Sequence, residues 1–468
     1  MYLQLKPFIS SPTALDHAFA AIMDFLPFLK DPVPVSLPIQ EKPAQRDRIM
    51  PTLEYRHTPE ELIDFAIEGN VSRINKRGAV GGDESFFIAD LGQIARQHRR
   101  WKQNLPNIRP YYAIKCNSDP TLIKSLADHG TGFDCASIEE IRTVLNLGVD
   151  PARILFANPC KSAASLVFAS QMRVQRTTFD NIDELDTIKM HMPEAKLLLR
   201  IYANDDSALI CFGDKFGAPL DTTSILLARA KELGFEVEGV SFHVGTGAKN
   251  AEAFSSAIRH AGEVFKQANL LGFNPTILDI GGGFEDSSFE SISAHILSSL
   301  RAEFPTGVTA IAEPGRFYAR SAYTLVSRVI SRRRQMGLAA QNGALDMLYQ
   351  NDGVYGSFMN VIMEKEVMVP VLVRGSGGSG LNGKGNGNTD KREILKEKKE
   401  YRYSIWGPTC DGVDCVAKEA SFGSEVRIGD WLKYNDMGAY TSTTATRFNG
   451  FSSSLDTFYI NSETMSGL

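Results

Sequence analysis

The sequence predicts an α/β protein, with a (β/α)8 TIM-like barrel followed by a mainly β C-terminal domain. Short apolar runs alternate with helix-like segments from about residue 85 to residue 320, which is typical of parallel strands joined by right-handed crossovers. About eight such units in about 230 residues fit a closed barrel better than an open sheet. After residue 320, runs with alternating faces predict further β-strands, and helical stretches are few.

Each predicted element is a short run of sequence. The barrel runs are FFIADL (86–91), PYYAIK (110–115), GTGFDCA (130–136), ARILFAN (152–158), RTTFD (176–180), AKLLLRI (195–201), VEGVSFHVG (237–245), PTILDIGGG (275–283) and VTAIAEPG (308–315). The later runs are SAYTLVSRVISRR, LDMLYQND, EVMVPVLVR, YRYSIWG, EVRIGDWLKY and DTFYIN. We therefore assign 85–320 to the barrel, and 61–84 together with 321–468 to the β domain. Residues 1–60 are predicted to form a short amphipathic helix and a Pro-rich tether, and 375–400 a flexible surface insertion.

Composition excludes several classes of protein. With 43% hydrophobic and 22% charged residues in 468, the chain is neither largely disordered, collagen-like nor a coiled-coil rod. A net charge of −5 gives no positive field for nucleic acid, and no run of 18 apolar residues predicts a membrane span. Six cysteines without a CxxC pair predict neither a disulfide framework nor a zinc site, so we expect a cytoplasmic protein.

A lysine at the end of an apolar run is the first candidate for chemistry. Lys115 closes PYYAIK, and barrels carry their active sites at the C-terminal ends of their strands. A desolvated lysine there can form Schiff bases, although a surface lysine just past a strand gives the same pattern. His243 lies near the end of another run, and the turn that follows it contains Thr246. That turn suits anion binding, but a packed histidine and an ordinary turn explain it too.

Two more strand ends carry a glycine turn and a charged pair. LDIGGGF contains three glycines, among them Gly282 and Gly283, directly after a predicted strand. This pattern is typical of a phosphate-binding turn, but an ordinary tight turn explains it too. The spacing is not the dinucleotide fingerprint GxGxxG. In IAEPGR, Glu313 could pair with a cationic ring nitrogen and Arg316 could bind phosphate, or the two could belong to a salt-bridged strand end.

A cysteine and an aspartate share the Gly/Pro loop SIWGPTCDGVD of the β domain. Cys410 is a candidate acid or nucleophile, although free cysteines are usually buried and inert. Because the loop lies outside the barrel, a shared site requires a domain or subunit interface. The lysine, the phosphate turn, the arginine and the glutamate together favour a pyridoxal phosphate site, in which Glu313 keeps the ring nitrogen protonated and His243 stacks on the ring.

The chain resembles the eukaryotic, fungal-type ornithine decarboxylases, which are alanine-racemase-like (fold type III) pyridoxal phosphate enzymes. The resemblance runs from about residue 50 to residue 465. It rests on ordered blocks that include FFIADLG, YYAIKCN, GFDCAS, ILFANPCK, TFDN, LLLRI, DKFG, SFHVGTGA, LDIGGGF, AEPGRF, NDGVYGSF, SIWGPTCDG, GDWLKYNDMGAYT and FNGF. It implies decarboxylation of an amino acid and a set of residues that hold the cofactor. Those residues would be Lys115 by a covalent link, Asp134, His243, Thr246, Gly282, Gly283, Glu313, Arg316 and Tyr440.

The resemblance also implies the residues at the substrate end. Cys410 would return a proton to Cα after CO2 leaves, Asp411 would meet the distal amine, and both would reach across a head-to-tail homodimer. Phe448 would line the pocket. The family has an aromatic–Asp pair where this chain has Met363 and Glu364. A one-methylene mismatch is worth about 1–3 kcal/mol, so Glu364 weakens ornithine binding without excluding it.

Three hypotheses follow. The first is a decarboxylase of L-ornithine or a closely related basic amino acid. The second is a paralogue acting on a larger amino-substituted acid in fungal alkaloid (loline-type) biosynthesis. The third is a catalytically silent binding protein similar to antizyme inhibitors, which the retained Lys115, Glu313, Arg316 and Cys410 argue against. The expected partners are a small amino acid and a second copy of the chain, with no metal, and antizyme is a further partner that the resemblance allows.

Overall fold

The computed structural model describes residues 58–76, 84–203, 215–245, 251–373, 400–451 and 454–463. The predicted helix and tether of residues 1–60 fall almost entirely outside these ranges, as does the predicted insertion at 375–400. The described residues form a barrel and a large sheet, so the predicted fold class is confirmed.

Eight parallel strands close the barrel, and its first and last strands pair through Ile108 and Ala310. The barrel strands are β2 (Ile108–Ala113), β3 (Gly132–Cys135), β4 (Ile154–Phe156), β5 (Arg176–Phe179), β6 (Lys196–Arg200), β7 (Glu236–Ser241), β8 (Ile277–Asp279) and β9 (Thr309–Ala312). Each lies within a predicted run or overlaps it. These strands read as nearly continuous apolar segments because helices cover the outside of the barrel while side chains fill its interior.

Helices connect successive strands, and several begin at a capping side chain. Asp119, Ser137 and Asn181 each accept a hydrogen bond from a backbone N–H of the following first turn, which satisfies groups that a helix leaves unpaired. The helices of this part are α2 (Leu91–Asn104), α3 (Pro120–Asp128), α4 (Ile138–Asn146), α5 (Ala163–Gln171), α6 (Ile182–His191), α7 (Thr223–Glu232), α8 (Ala251–Leu270), α9 (Phe289–Glu303) and α10 (Arg316–Ala319).

The second part is an eight-stranded sheet with the order β12-β15-β10-β11-β13-β14, and β1 pairs with both β10 and β16. Its strands are β1 (Phe86–Asp90), β10 (Tyr323–Arg333), β11 (Asp346–Gln350), β12 (Val371–Val373), β13 (Tyr401–Trp406), β14 (Cys415–Phe422), β15 (Trp431–Tyr434) and β16 (Asp456–Ile460). Its helices are α1 (Pro59–Lys76), α11 (Gly337–Gln341) and α12 (Met359–Met363). Helix α1 packs on the sheet through Ala66, Ile67 and Val71.

The assignment of FFIADL to the barrel is wrong, because β1 pairs antiparallel with β10 and parallel with β16. All five residues of β1 are buried. Phe86 and Ile88 pack in the cluster that includes α1, whereas Phe87 and Ala89 belong to the main core. A strand covered on both faces shows the same continuous apolar run as a barrel strand. Strand β14 was not predicted, since register shifts against β13 interrupt its alternation.

Alternate residues of the barrel strands point inward and form layers. Five of them make an apolar layer across the interior, namely Tyr111, Leu155, Leu198, Ile277 and Ile311. Two residues further along three of these strands the inward positions are polar, namely Arg200, Asp279 and Glu313. The apolar layer is therefore the floor below a polar group of side chains at the C-terminal mouth.

Candidate active site

Lys115 reaches this mouth from the end of β2. The strand continues into a single turn, Ile114–Cys116, and the alternation through Tyr111 and Ala113 turns Lys115 inward. Its Nζ lies 3.3 Å from Asp134 Oδ2 at the end of β3. Desolvation opposes the charge on Lys115, but Asp134 and Glu313 outweigh it and raise its pKa above the ordinary lysine value. Without a cofactor, the amine is therefore an ammonium held by carboxylates.

His243 follows β7 and lines the same cavity. Its Nδ1 accepts a hydrogen bond of 3.0 Å from the Gly245 N–H. Burial, helped by Lys115 and Arg200, holds the pKa of His243 well below its ordinary value. The ring is therefore neutral near pH 7. Thr246, the other residue predicted here, lies outside the described residues.

The glycine turn after β8 packs directly beneath His243 and Glu313. Gly281 and Gly283 have positive φ angles of 65° and 95°, which glycine adopts without strain. A Cβ on Gly282 would lie 2.8 Å from both the Glu313 carbonyl oxygen and His243 Nε2. The Glu313 N–H donates to the Gly281 carbonyl at 2.7 Å. Only residues without side chains fit this close approach.

Glu313 follows β9 and is buried in the same mouth. Burial raises its pKa well above the ordinary value, and the carboxyl groups of Asp279 and Asp134 raise it further. Three carboxyl groups therefore meet near the floor of the cavity. A cationic nitrogen placed against Glu313 would relieve this repulsion.

Arg316 begins α10 and is buried against two carboxylates. Its Nη2 pairs with Glu364, and its Nε lies 3.2 Å from Glu285 Oε1. Although burial opposes the charge, these carboxylates raise the pKa of Arg316 above its ordinary value. Its guanidinium carbon lies 5.2 Å from the centre of the Tyr440 ring. Tyr440 itself is fixed by an N–H bond of 2.9 Å to the Cys116 carbonyl, with a positive φ of 54°.

Two adjoining cavities open between these residues. The larger has a volume of about 360 Å³ and is lined by Lys115, Asp134, Ala136, Ala157, Asn158, Pro159, Arg200, Lys215, Phe216, His243, Glu313, Asn360, Met363, Glu364, Tyr440 and Thr444. The smaller, of about 20 Å³, is lined among others by Gly283, Arg316 and Tyr440. Lys115, His243, Glu313 and Tyr440 line both, so the mouth is one continuous site.

The structure therefore brings most predicted residues together, but it leaves three of them apart. Cys410 is exposed, and its N–H donates to Asn449 Oδ1 at 3.0 Å. Phe448 stacks on Tyr355 with ring centres 4.4 Å apart. The Tyr355 hydroxyl in turn donates a hydrogen bond to the Asp411 carboxylate. None of these side chains lines either cavity of the described residues.

Several lining residues had no predicted role. Arg200 is the last residue but one of the run AKLLLRI, and Asn158 is the last of ARILFAN, so the strand-end argument that identified Lys115 would have found them. Asn360 lies one helical turn before Glu364, on a helix that the sequence pattern did not indicate. Asp279 is a fully buried carboxyl group beneath the cavity, inside a motif noted only for its glycines.

The site fits pyridoxal phosphate. The aldehyde of this cofactor requires a lysine amine, and its ring nitrogen requires a carboxylate. Its phosphate is bound by backbone N–H groups and an arginine. The glycine turn leaves no room for side chains, and the buried guanidinium of Arg316 lines the smaller cavity together with Gly283. The fold and the site thus define the class of pyridoxal phosphate-dependent enzymes.

Comparison with known proteins narrows the class. Residues 91–320 match the family model described as "Pyridoxal-dependent decarboxylase, pyridoxal binding domain". The chain is 44% identical over 423 residues to ornithine decarboxylase of Neurospora crassa, covering 86% of each protein. It is 42% identical over 405 residues to that of Saccharomyces cerevisiae, covering 85% of this chain and 86% of the relative. The structure of the Paramecium bursaria Chlorella virus arginine decarboxylase bound to agmatine matches with a TM-score of 0.74 and 36% identity, over 84% of this chain and 100% of that one.

The chain belongs to the ornithine decarboxylase family of pyridoxal phosphate-dependent decarboxylases. The predicted cofactor and enzyme class are confirmed. No helix among the described residues is long and apolar enough to cross a membrane. In the same ranges, no group of three or more His, Cys, Asp or Glu side chains could hold a metal ion.

Proposed function

We propose that the protein removes the α-carboxylate of L-ornithine, or of a closely related basic amino acid, as CO2 and releases an amine. The observation that carries the proposal is the cavity of about 360 Å³ in which Lys115 and Glu313 meet the acidic residue Glu364. Lys115 and Glu313 would bind the cofactor, and the Glu364 carboxylate would bind a cationic group of the substrate. Pyridoxal phosphate, when bound, withdraws electrons from the bond to the departing carboxylate.

The chain's own residues prepare this chemistry. Lys115 must lose its proton to bind the cofactor, and Asp134 at 3.3 Å is placed to accept or share it. Glu313 would carry a negative charge against the cationic ring nitrogen. The neutral ring of His243 would stack on the cofactor without adding a competing charge. The glycine turn, Arg316 and Tyr440 would hold the phosphate.

The substrate end combines charge with apolar surface. Glu364 is nearly buried and paired with Arg316, so a phosphate that engages Arg316 would compete for this pair and free the Glu364 carboxylate for the distal amine. Met363 is 56% exposed and supplies an apolar wall in place of an aromatic ring. Because Glu364 keeps a negative charge that can bind an ammonium group, a basic amino acid is favoured as the substrate.

We also propose that two subunits share each site. Cys410, Asp411 and Phe448 are exposed or partly exposed and lie away from the cavity of their own chain. A head-to-tail homodimer would bring them to the cavity of a partner subunit, where Cys410 protonates Cα and Asp411 binds the distal amine. A cytosolic location is part of this proposal, since all the described cysteines are unpaired.

Cofactor binding provides the first test. The purified protein should absorb in the visible range, and borohydride should fix the cofactor to Lys115. Lys115→Ala should abolish covalent retention, whereas Lys215→Ala, at the other lysine of the cavity lining, should keep it. A protein that stays colourless with added pyridoxal phosphate would refute the proposal.

Substrate and assembly are tested separately. CO2 release should be measured over ornithine, lysine, arginine and larger amino-substituted acids, with the highest kcat/KM expected for a basic amino acid. A preference for a non-basic acid would instead support the altered-specificity hypothesis. Mixing Lys115→Ala with Cys410→Ala subunits should restore about one quarter of the activity, because random exchange gives half of the dimers one intact site. No recovery despite proven exchange would exclude shared sites.

A further inference from the structure

Asp279 is a buried carboxyl group that the chemistry above does not use. It ends β8 two residues after Ile277, so it points into the barrel directly above the apolar layer. Its exposed fraction is 0%. An ionised carboxylate is costly at such a position unless it is paired and hydrogen-bonded.

Only one of its two oxygens has a clear partner. Oδ1 accepts a hydrogen bond of 3.0 Å from the Gly281 N–H, whereas Oδ2 is buried and meets no N–H or hydroxyl donor among the described residues. The same Gly281 receives the Glu313 N–H through its carbonyl oxygen at 2.7 Å. Asp279 therefore lies on the turn that places Glu313, and its second oxygen is left for the Glu313 carboxyl group.

The charged groups around Asp279 explain what that oxygen would bind. Glu313 and Asp134 are acidic neighbours, while Lys115 and Arg200 are nearby cations of the same mouth. Burial raises the pKa of Asp279 to about 7, whereas the hydrogen bond between the two carboxyl groups lowers the pKa of Asp279 and raises that of Glu313. A proton shared by this pair would satisfy Oδ2 and remove one of the negative charges.

We propose that Asp279 is a positioning residue for Glu313: when Glu313 pairs with the cationic ring nitrogen, Asp279 takes up the proton that the two carboxyl groups share and donates it as a hydrogen bond to the Glu313 carboxylate. Glu313 then stays ionised and oriented, with its second oxygen free for the cationic ring nitrogen. No proton is lost in this arrangement, because it moves only between the two carboxyl groups. The inference rests on the proposed role of Glu313 in cofactor binding.

The test uses two substitutions at Asp279 and a matched control. Asp279→Asn keeps an acceptor for the Gly281 N–H and a donor for Glu313 but cannot ionise, whereas Asp279→Ala removes both. Asp352→Asn is the control, because Asp352 is a buried aspartate of the β domain whose pKa burial raises to about 6 and which lines neither cavity. The readouts are the affinity of the apo-protein for pyridoxal phosphate and the absorption spectrum of the complex from about pH 6 to 8.5.

We expect the wild-type affinity to fall as the pH rises through the Asp279 titration, and the Asp279→Asn affinity to stay level. Asp279→Ala should bind the cofactor about 10- to 100-fold more weakly, since a hydrogen bond to a charged group is lost. Asp352→Asn should titrate like the wild type. An Asp279→Asn variant that keeps the wild-type pH dependence would overturn the inference. A wild-type protein that binds no pyridoxal phosphate at any pH would instead overturn the proposed function.

Discussion

Lys161 should be sensitive to substitution although it lies outside the cavity, because its side chain is fully buried. Its Nζ lies 2.7 Å from Glu184 Oε1 and donates to the carbonyl oxygens of Asn158 and Thr178 at 2.9 and 2.8 Å. Burial lowers the pKa of Lys161, although Glu184 opposes this. Lys161→Met would leave Glu184 as a buried charge without its partner, which costs about 3–5 kcal/mol of the free energy of unfolding.

The assay is urea unfolding of the apo-protein, followed by circular dichroism, so that bound cofactor does not mask the loss. Lys124→Met is the matched control, because the Lys124–Asp128 pair is exposed and should contribute less than about 1 kcal/mol. Lys161→Met combined with Glu184→Leu should recover much of the loss, since an apolar pair replaces the ionic one. Equal losses in the Lys161 and Lys124 variants would refute the reasoning.

Three further predictions concern pH, specificity and the cofactor lysine. Burial, with His129 and Lys102, lowers the pKa of His98 to about 4, so the unfolded chain takes up a proton first as the pH falls below 6.5. The free energy of unfolding, measured in thermal melts, should therefore drop by roughly 2 kcal/mol between about pH 6.5 and 4. A His98→Gln variant should lose less over this range, whereas the control His295→Gln, at an exposed histidine, should lose as much as the wild type. Glu364→Asp should raise kcat/KM for ornithine relative to lysine about 10-fold, and an unchanged ratio in a CO2-release assay would contradict this. Asp134→Asn should lower the pKa of Lys115, so spectra should show the cofactor attaching at lower pH than in the wild type.

The barrel could be predicted because its signal is local. Each strand is a short apolar run, and polar residues at the run's end mark the C-terminal mouth, which is how Lys115 and Glu313 were found. Strand β1 gave the same local signal and still belongs to the other sheet, since its partners lie in β10 and β16, more than 200 residues away. Pairing over such distances leaves no trace in a local pattern.

Contacts between side chains that are far apart in the sequence could not be predicted either. Arg316 and Glu364 are 48 positions apart, and only the fold shows that they form an ion pair. Asp279 was overlooked because the glycines after it were the stronger signal, and its burial becomes evident only once the barrel interior is assembled. The exposed position of Cys410 is likewise a property of the folded chain.

The parallel pairing of β1 with β16 joins the first and the last strand of the described residues, with Phe86 opposite Asp456 and Asp90 opposite Ile460. During synthesis the barrel can close as soon as its own strands have emerged, but β1 must wait for the last strand before its second edge is covered. An exposed strand edge is a template for pairing with other chains. Loss of residues 456–460 would therefore leave a complete barrel attached to a sheet in which one edge of β1 is exposed. Such a truncated chain should aggregate rather than remain as a smaller folded unit.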